Sequence, residues 1–249
     1  MKLEYQRTIH ALKAELDQLR PLRSEHVAAL KDYFKIGLTY TSNALEGNSL
    51  TETETKIVIE DGLTIGGKPL KDHLEAIGHA DAYDFMLSLA NRRGLTERHI
   101  LQLHRLFYRR IDETQAGSYR TVRVFITGSK HIPPAATAVA TQMRTFCRAL
   151  PAKRRQLHPV DFSAWLHFRL VHIHPFIDGN GRTARLMMNV ALLQDGYPVV
   201  IIPPILRREY IDTLESCHGM KGNPEPFFNF IARATIEAVR DYLRLLRSG

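Results

Sequence analysis

Apolar side chains recur along this chain at spacings of three and four, the period that lines up one face of an α-helix. Ile9, Leu12, Leu16 and Leu19 form the first such face. The pattern stops at Pro21 after barely two heptads, too soon for a coiled-coil seam, so this helix is expected to dock on the protein's own core. Ser24 is a suitable N-cap for a second helix over 24–45, and Gly47 and Asn48 tolerate the positive φ of a helix end. Thr51 with Glu54 three residues later predicts a capping box, opening a helix that ends at Asp61-Gly62. Further helices are expected over 73–91, 96–111, 137–150, 160–173, 181–194, 207–218 and 226–247. Phe162, Trp165, Leu166, Leu170 and Ile173 fall on one stripe and are expected in the core.

The period changes once. Over 121–134, Val122, Val124 and Ile126 alternate with Arg123, Phe125 and Thr127; Gly128-Ser129 can turn the chain and Pro133-Pro134 ends the second arm. This predicts a β-hairpin. The expected fold class is mainly α, with one small β-hairpin. No internal repeat, low-complexity tract or clear linker interrupts the chain.

Composition narrows the function classes. The chain has 249 residues, 44% apolar and 24% charged, ordinary for a globular protein of one domain with an appendage. Apolar runs such as 197–206 are broken by Pro and fall short of the roughly 20 residues a membrane span needs. The N-terminal segment carries acids and lacks a continuous apolar stretch, so it does not read as a signal peptide. Two cysteines, Cys147 and Cys217, are too few for a disulfide framework, which points to the cytoplasm. The net charge of +8 suits an acidic partner or a polyphosphate ligand. Zinc-finger spacing and a ribonucleoprotein-type aromatic motif are both missing, so nucleic-acid binding rests on charge alone and is not expected.

The candidate chemistry lies in "HIHPFIDGNGRTAR", residues 172–185. Pro175 ends one predicted helix and Asn180-Gly181 begins the next. Gly179 and Gly181 let a tight loop present backbone N–H groups, and the positive end of the following helix adds to that anion site. Arg182 and Arg185, three apart, share one helical face there and suit a polyphosphate. Asp178 precedes the loop and can hold Mg²⁺ bridging phosphate oxygens. His174 has a side chain substantially neutral at pH 7, able to take a proton from an attacking hydroxyl. Phe176 and Ile177 read as anchors of the loop. "GNGRTA" formally fits a dinucleotide fingerprint, but a helix rather than a strand precedes it, and no P-loop sequence is present. His167, His172 and His174 lack H-E-x-x-H spacing or a Cys pair and do not predict zinc.

Residues 174–185 match without a gap the motif HPFx[D/N]GNGRxxR and thereby resemble the Fic-domain family. The likeness extends to the segment before the motif and the helices on either side, over about 96–247. It implies a helical core that transfers AMP from Mg-ATP to a Ser, Thr or Tyr hydroxyl of a target protein. It implies His174 as general base, Asp178 as Mg²⁺ ligand, Gly179, Asn180 and Gly181 at the α- and β-phosphates, Arg182 also on the phosphates and Arg185 on the γ-phosphate. The hairpin corresponds to the family's flap, where Val124, Ile126, Thr127, Gly128 and His131 would dock an extended target segment by β-augmentation. Gly181, where related Doc-type toxins carry Lys, favours AMP transfer. The pattern departs at 208–219: where relatives often set a Tyr and an Asn against adenine, this chain has Ile211 and His218. Longer relatives append a winged-helix segment, and none is expected after Gly249.

"SNALEGN", residues 42–48, fits the family's inhibitory pattern [S/T]xxxE[G/N] with Ser42, Glu46 and Gly47. The chain therefore resembles the class with an N-terminal inhibitory helix, here about 24–47. Residues 1–95 would carry the restraint and 96–249 the catalytic core, with the flap at 121–134 and the active-site loop at 174–185. Glu46 would pair with Arg185 in place of a γ-phosphate oxygen. Two other functions stay open: a hydrolase that removes AMP with Glu46 activating water, and an inactive basic binding module. Expected partners are ATP and a target protein, with self-modification and a monomer or homodimer both compatible.

Overall fold

Periodicity and capping together account for the architecture. A computed structural model of the chain describes residues 1–92, 94–219 and 222–247. Among them run α1 (Leu3–Gln18), α2 (Ser24–Ala44), α3 (Glu52–Lys56), α4 (Leu70–Ser88), α5 (Glu97–Tyr108), α6 (Ala136–Gln156), α7 (Pro159–Ile173), α8 (Asn180–Gln194), α9 (Arg207–Glu215) and α10 (Glu225–Arg247). The expected Thr51–Glu54 capping box is formed reciprocally. A π-turn, Ile57–Asp61, continues α3 and ends on Gly62 at φ 67°. At α2 the N-cap is Arg23 rather than Ser24, which is the first helical residue. No described helix is long and apolar enough to cross a membrane.

Helix α8 is the hub. Every residue from Arg182 to Leu192 is buried, so it is covered on all sides. It packs against α7, α4, α5 and α2, while α10 lies across α1, α7 and α9. From α7, Phe162, Leu166, Leu170 and Ile173 enter the core, and Trp165 packs at its edge. Polar side chains buried in the hub therefore need partners supplied by neighbouring helices.

The β-hairpin expected at 121–134 is not formed: among the described residues there is no strand. The segment is an extended loop, turned by a bond from Ser129 N to Ile126 O of 3.1 Å, with Gly128 at φ 80°. Pro133 and Pro134 lack amide donors, and the amides of Lys130 and His131 donate to Glu215 and to Ser129 Oγ, so the returning arm has few donors left for a ladder. Arg120 joins the arms instead. Its guanidinium is 2% exposed and donates to Val122 O (3.0 Å), Pro134 O (2.6 Å) and His174 O (2.8 Å). Arg120→Ala leaves those carbonyls without a donor and is expected to cost about 3 kcal/mol. Thermal unfolding and limited proteolysis check this; cleavage within 121–134 should become faster.

Burial also makes the fold acid-sensitive. Desolvation is the main cause pushing the imidazoles of His79 and His167 down to about 3, and those of His104 and His174 down to about 4. Above pH 6.5 these side chains are neutral folded or unfolded, and contribute nothing to pH dependence. Below it the unfolded chain takes up protons that the folded chain refuses, so stability falls as pH falls from 6.5 toward 4. At pH 5 the four together cost on the order of 8 kcal/mol, comparable to the whole stability of a domain. Far-UV circular dichroism against pH should show unfolding well above the carboxylate range.

Candidate active site

The loop between α7 and α8 is pinned from three directions. His174 sits at the C-cap of α7 with φ 51°, and among the described residues it is the one non-glycine at positive φ. Such a conformation costs an L-residue roughly 1–2 kcal/mol, and the Arg120 bond to the His174 carbonyl helps hold it. Phe176 is fully buried and stacks on His104 at a ring distance of 3.7 Å. His104 Nδ1 accepts from Gly117 N (2.9 Å), so its Nε2 carries the proton and donates to Asp178 O (3.1 Å). Gly179, at φ 76°, tops the loop; a Cβ there would press into the Phe107 ring at 2.8 Å.

Asn180 closes the loop with a double clasp: its Oδ1 accepts from Phe176 N (2.9 Å) and its Nδ2 donates to Phe176 O (3.0 Å). Its side chain is thus engaged within the loop. At the first turn of α8 the backbone N–H groups of Asn180, Gly181 and Arg182 have no earlier helical carbonyl to reach, which makes this end an anion cradle. Asp178 caps the approach. Its Oδ1 accepts from Gly179 N (2.6 Å) and Arg182 Nη2 (3.2 Å), and Lys71 Nζ lies 3.8 Å from Oδ2. Burial raises this carboxyl, but Arg182 and the Gly179 amide outweigh it and hold the pKa below the ordinary value.

Both arginines have carboxylate partners from the N-terminal helices. Arg182 is 3% exposed, forms an ion pair with Glu75 of α4 at 2.8 Å and lies over the Phe107 ring at 4.3 Å. Arg185 is 2% exposed. It donates from Nε to Ser42 Oγ (2.9 Å), from Nη2 to Ser42 O (2.8 Å) and Glu46 Oε1 (2.7 Å), and from Nη1 to Tyr210 OH (3.3 Å). Tyr210 OH is in turn 2.9 Å from His167 Nε2. For Glu46, burial alone would raise the pKa; Arg185 and then Arg182 reverse it and hold the carboxyl below its ordinary value. Gly47 sits at φ 96° directly after it, in the turn that follows α2. A Cβ on Gly181 would run into Glu46 Oε1, so the carboxylate lies directly over the cradle.

Asp178, the α8 terminus, both arginines, Ser42 and Glu46 therefore converge, and His174 heads the same loop within electrostatic reach of Glu46. His174 is held neutral at pH 7 chiefly by burial, with the Val171 carbonyl, Arg120, His131 and Glu46 as lesser influences. Of the expected adenine-side residues, Ile211 packs against the core and His218 joins His131 and His172 in a stack. Of the docking residues, Thr127 and Gly128 are exposed and Val124, Ile126 and His131 half-buried. The loop tip is tied to α9 by Glu215, which accepts from Ser129 Oγ and from Lys130 N. A cavity of about 630 Å³ between α1, α2 and α10 contains none of the motif residues.

Sequence reasoning missed Arg120, Glu75, His104 and Tyr210. Two carried a signal. His104 falls on the apolar stripe Ile100, Leu103, Phe107, and Glu75 lies beside Ala76 and His79 on a helix otherwise rich in small buried residues.

Comparison with known proteins agrees with this geometry. The sequence model of the Fic/DOC family matches residues 94–192. "Protein adenylyltransferase Fic" of Drosophila erecta is 37% identical over 244 residues, covering 96% of this chain and 48% of that protein. The protein of the same name from Drosophila persimilis is 38% identical over 206 residues, covering 82% of this chain and 40% of its own length. The chain thus spans about half the length of the curated relatives it matches. Among solved structures, Fic-1 of C. elegans superposes with a TM-score of 0.88 at 28% identity, covering 98% of this chain and 72% of that one. A Fic domain containing signaling protein from Bacteroides thetaiotaomicron gives 0.88 at 29% identity, covering 97% and 98%. With the motif loop, the helical hub and these likenesses all in accord, the chain belongs to the Fic/DOC family.

Proposed function

We propose that this protein is an adenylyltransferase that moves AMP from Mg-ATP to a Ser, Thr or Tyr hydroxyl of a target protein, restrained by Glu46. The observation that carries the reading is a neutral His174 at the head of the loop whose anion cradle is already contacted by a carboxylate. His174 takes the hydroxyl proton, the hydroxyl oxygen bonds to the α-phosphorus, and the bond to pyrophosphate breaks. The backbone N–H groups of Asn180, Gly181 and Arg182, with the side chains of Arg182 and Arg185, receive the charge that develops on the phosphates, and Gly179 shapes the loop that presents them. Asn180 serves through its amide N–H, because its side chain holds the loop. Asp178 suits Mg²⁺: it is ionised, partly exposed and beside the cradle, and Mg²⁺ takes few protein ligands plus phosphate oxygens. Bound there, the ion neutralises phosphate charge.

Residues 1–95 supply the restraint through Glu46 and Ser42, and 96–249 the chemistry. Engagement of Glu46 by Arg185 favours restraint over activation of a water. Residues Val124, Ile126, Thr127, Gly128 and His131 are read as the docking edge for an extended target segment, whose strand would give this loop the ladder it lacks alone. Ile211 and His218 are read as the adenine-side positions, on the resemblance alone. The free thiols Cys147 and Cys217 favour a reducing cytoplasm. Mass spectrometry of the Glu46→Gly protein after incubation with ATP and Mg²⁺, with and without lysate proteins, tests the function. A gain of one adenylate on itself or on a target is expected; unmodified protein throughout would refute it.

A further inference from the structure

We propose that His131, His172 and His218 form a binding site for a divalent transition-metal ion of the Zn²⁺ class, which ties loop 121–134 to the ends of α7 and α9. The three side chains come from separate segments. His131 lies on the loop, His172 in the last turn of α7, and His218 just beyond α9. One ring nitrogen from each lies within 4.8 Å of the others, and among the described residues this is the one such group of His, Cys, Asp or Glu.

The spacing is close to what an ion needs. His172 Nδ1 and His218 Nδ1 are 3.1 Å apart. Two nitrogens on a tetrahedral ion at Zn–N distances of about 2.0–2.1 Å sit about 3.3 Å apart. Without an ion, two neutral Nδ1 atoms at this distance share a single proton, which an ion would displace. His131 Nε2 is 2.8 Å from the His172 carbonyl, which can only accept, so Nε2 donates and Nδ1 keeps its lone pair. A bond of that kind fixes a ligating imidazole in many metal sites. Phe168 packs against both His172 and His218 and walls one side with carbon.

The rings now stack, His131 on His218 at 4.0 Å and 9°, and His131 on His172 at 4.4 Å and 27°. Parallel rings do not aim their lone pairs at one point, so binding requires the imidazoles to turn about χ2, a broad and soft torsion. The rings are half-buried, which leaves room for that turn. An all-imidazole donor set selects Zn²⁺, Co²⁺, Ni²⁺ or Cu²⁺ over Mg²⁺, so this site is chemically distinct from the oxygen site at Asp178. Three protein ligands leave a fourth position for water or an incoming group. An ion here would clamp the loop two residues from His174.

The test uses the full chain, stripped with EDTA and dialysed. Equimolar Co²⁺ is expected to give the visible bands of tetrahedral coordination, abolished by one equivalent of Zn²⁺. Competition with a chromogenic chelator should show Zn²⁺ affinity falling at least about tenfold in His131→Ala and in His218→Asn. His131 lies on a surface loop, so its loss spares the fold, which circular dichroism verifies. His158→Ala removes a different close pair, His10 with His158, and should leave Zn²⁺ affinity unchanged. Zn²⁺ should also slow proteolysis within 121–134 in the natural protein and not in His131→Ala. Absence of the Co²⁺ bands, or Zn²⁺ affinity unchanged in both His131→Ala and His218→Asn, would overturn the proposal.

Discussion

Glu46→Gly is expected to raise adenylate transfer, self-modification included, by roughly ten- to a hundredfold. Arg185 is almost wholly buried, and Glu46 is the carboxylate it holds, at 2.7 Å. An ATP γ-phosphate seeking Arg185 must displace that carboxylate or bind askew, with its α-phosphorus misplaced for attack. Arg185 is buried but Glu46 is 36% exposed, so the pair lies between a buried one, on the order of 3 kcal/mol to disrupt, and an exposed one, under about 1 kcal/mol; about 1.4 kcal/mol corresponds to a tenfold change. The same contact makes a second, opposite prediction. Without Glu46 the buried guanidinium keeps only Ser42 and Tyr210 as partners, so the variant should melt at a lower temperature without nucleotide. ATP should then raise its melting temperature more than that of the natural protein. Radiolabelled ATP and thermal shift measure the two effects; equal labelling of both proteins would remove Glu46 as a restraint. Since Arg185 and Arg182 keep Glu46 ionised, acidification should not mimic the substitution while the fold survives.

His174→Ala is expected to reduce transfer by 10² to 10⁴-fold in the Glu46→Gly background, the range typical for loss of a positioned base. ATP binding should persist, because the cradle is built from α8 and the clasped loop rather than from the imidazole. Ala at φ 51° adds a modest backbone cost, so the variant is compared at a temperature well below its melting point. Burial holds His174 down to about 4, so the imidazole is available as base across the neutral range. The transfer rate should therefore stay level from pH 8 downward until acid unfolding begins, without the midpoint near 6.5 of a solvated imidazole. A midpoint there, or undiminished labelling by His174→Ala, would assign the proton to another group.

The periodic and local features of this molecule were legible in its residues. Apolar spacing marked the helix ends to within three residues except at α6, which runs through Pro151 to Gln156 instead of stopping at 150, and Thr51 with Glu54 made the cap it announced, because both depend on neighbours along the chain. The glycines, Pro175 and the arginines of 174–185 marked the tight turn between α7 and α8 and its cluster of positive charge, since each acts through its own backbone geometry or charge. Alternation over 121–134 misled: side-chain period says which face a residue takes, not whether a second arm can donate amides to it. Arg120, a single buried cation serving both arms, decided that segment. The sequence by itself determined the helical elements, the loop and its phosphate-adapted residue types. The Glu46–Arg185 pair was expected from the resemblance and is formed; only the tertiary structure decided the other meetings: Glu75 with Arg182, Tyr210 with Arg185, and the three histidines of separate segments. Such contacts depend on how covered helices are arranged around α8. A buried charge states its need for a partner in the sequence, but the partner's identity follows from packing.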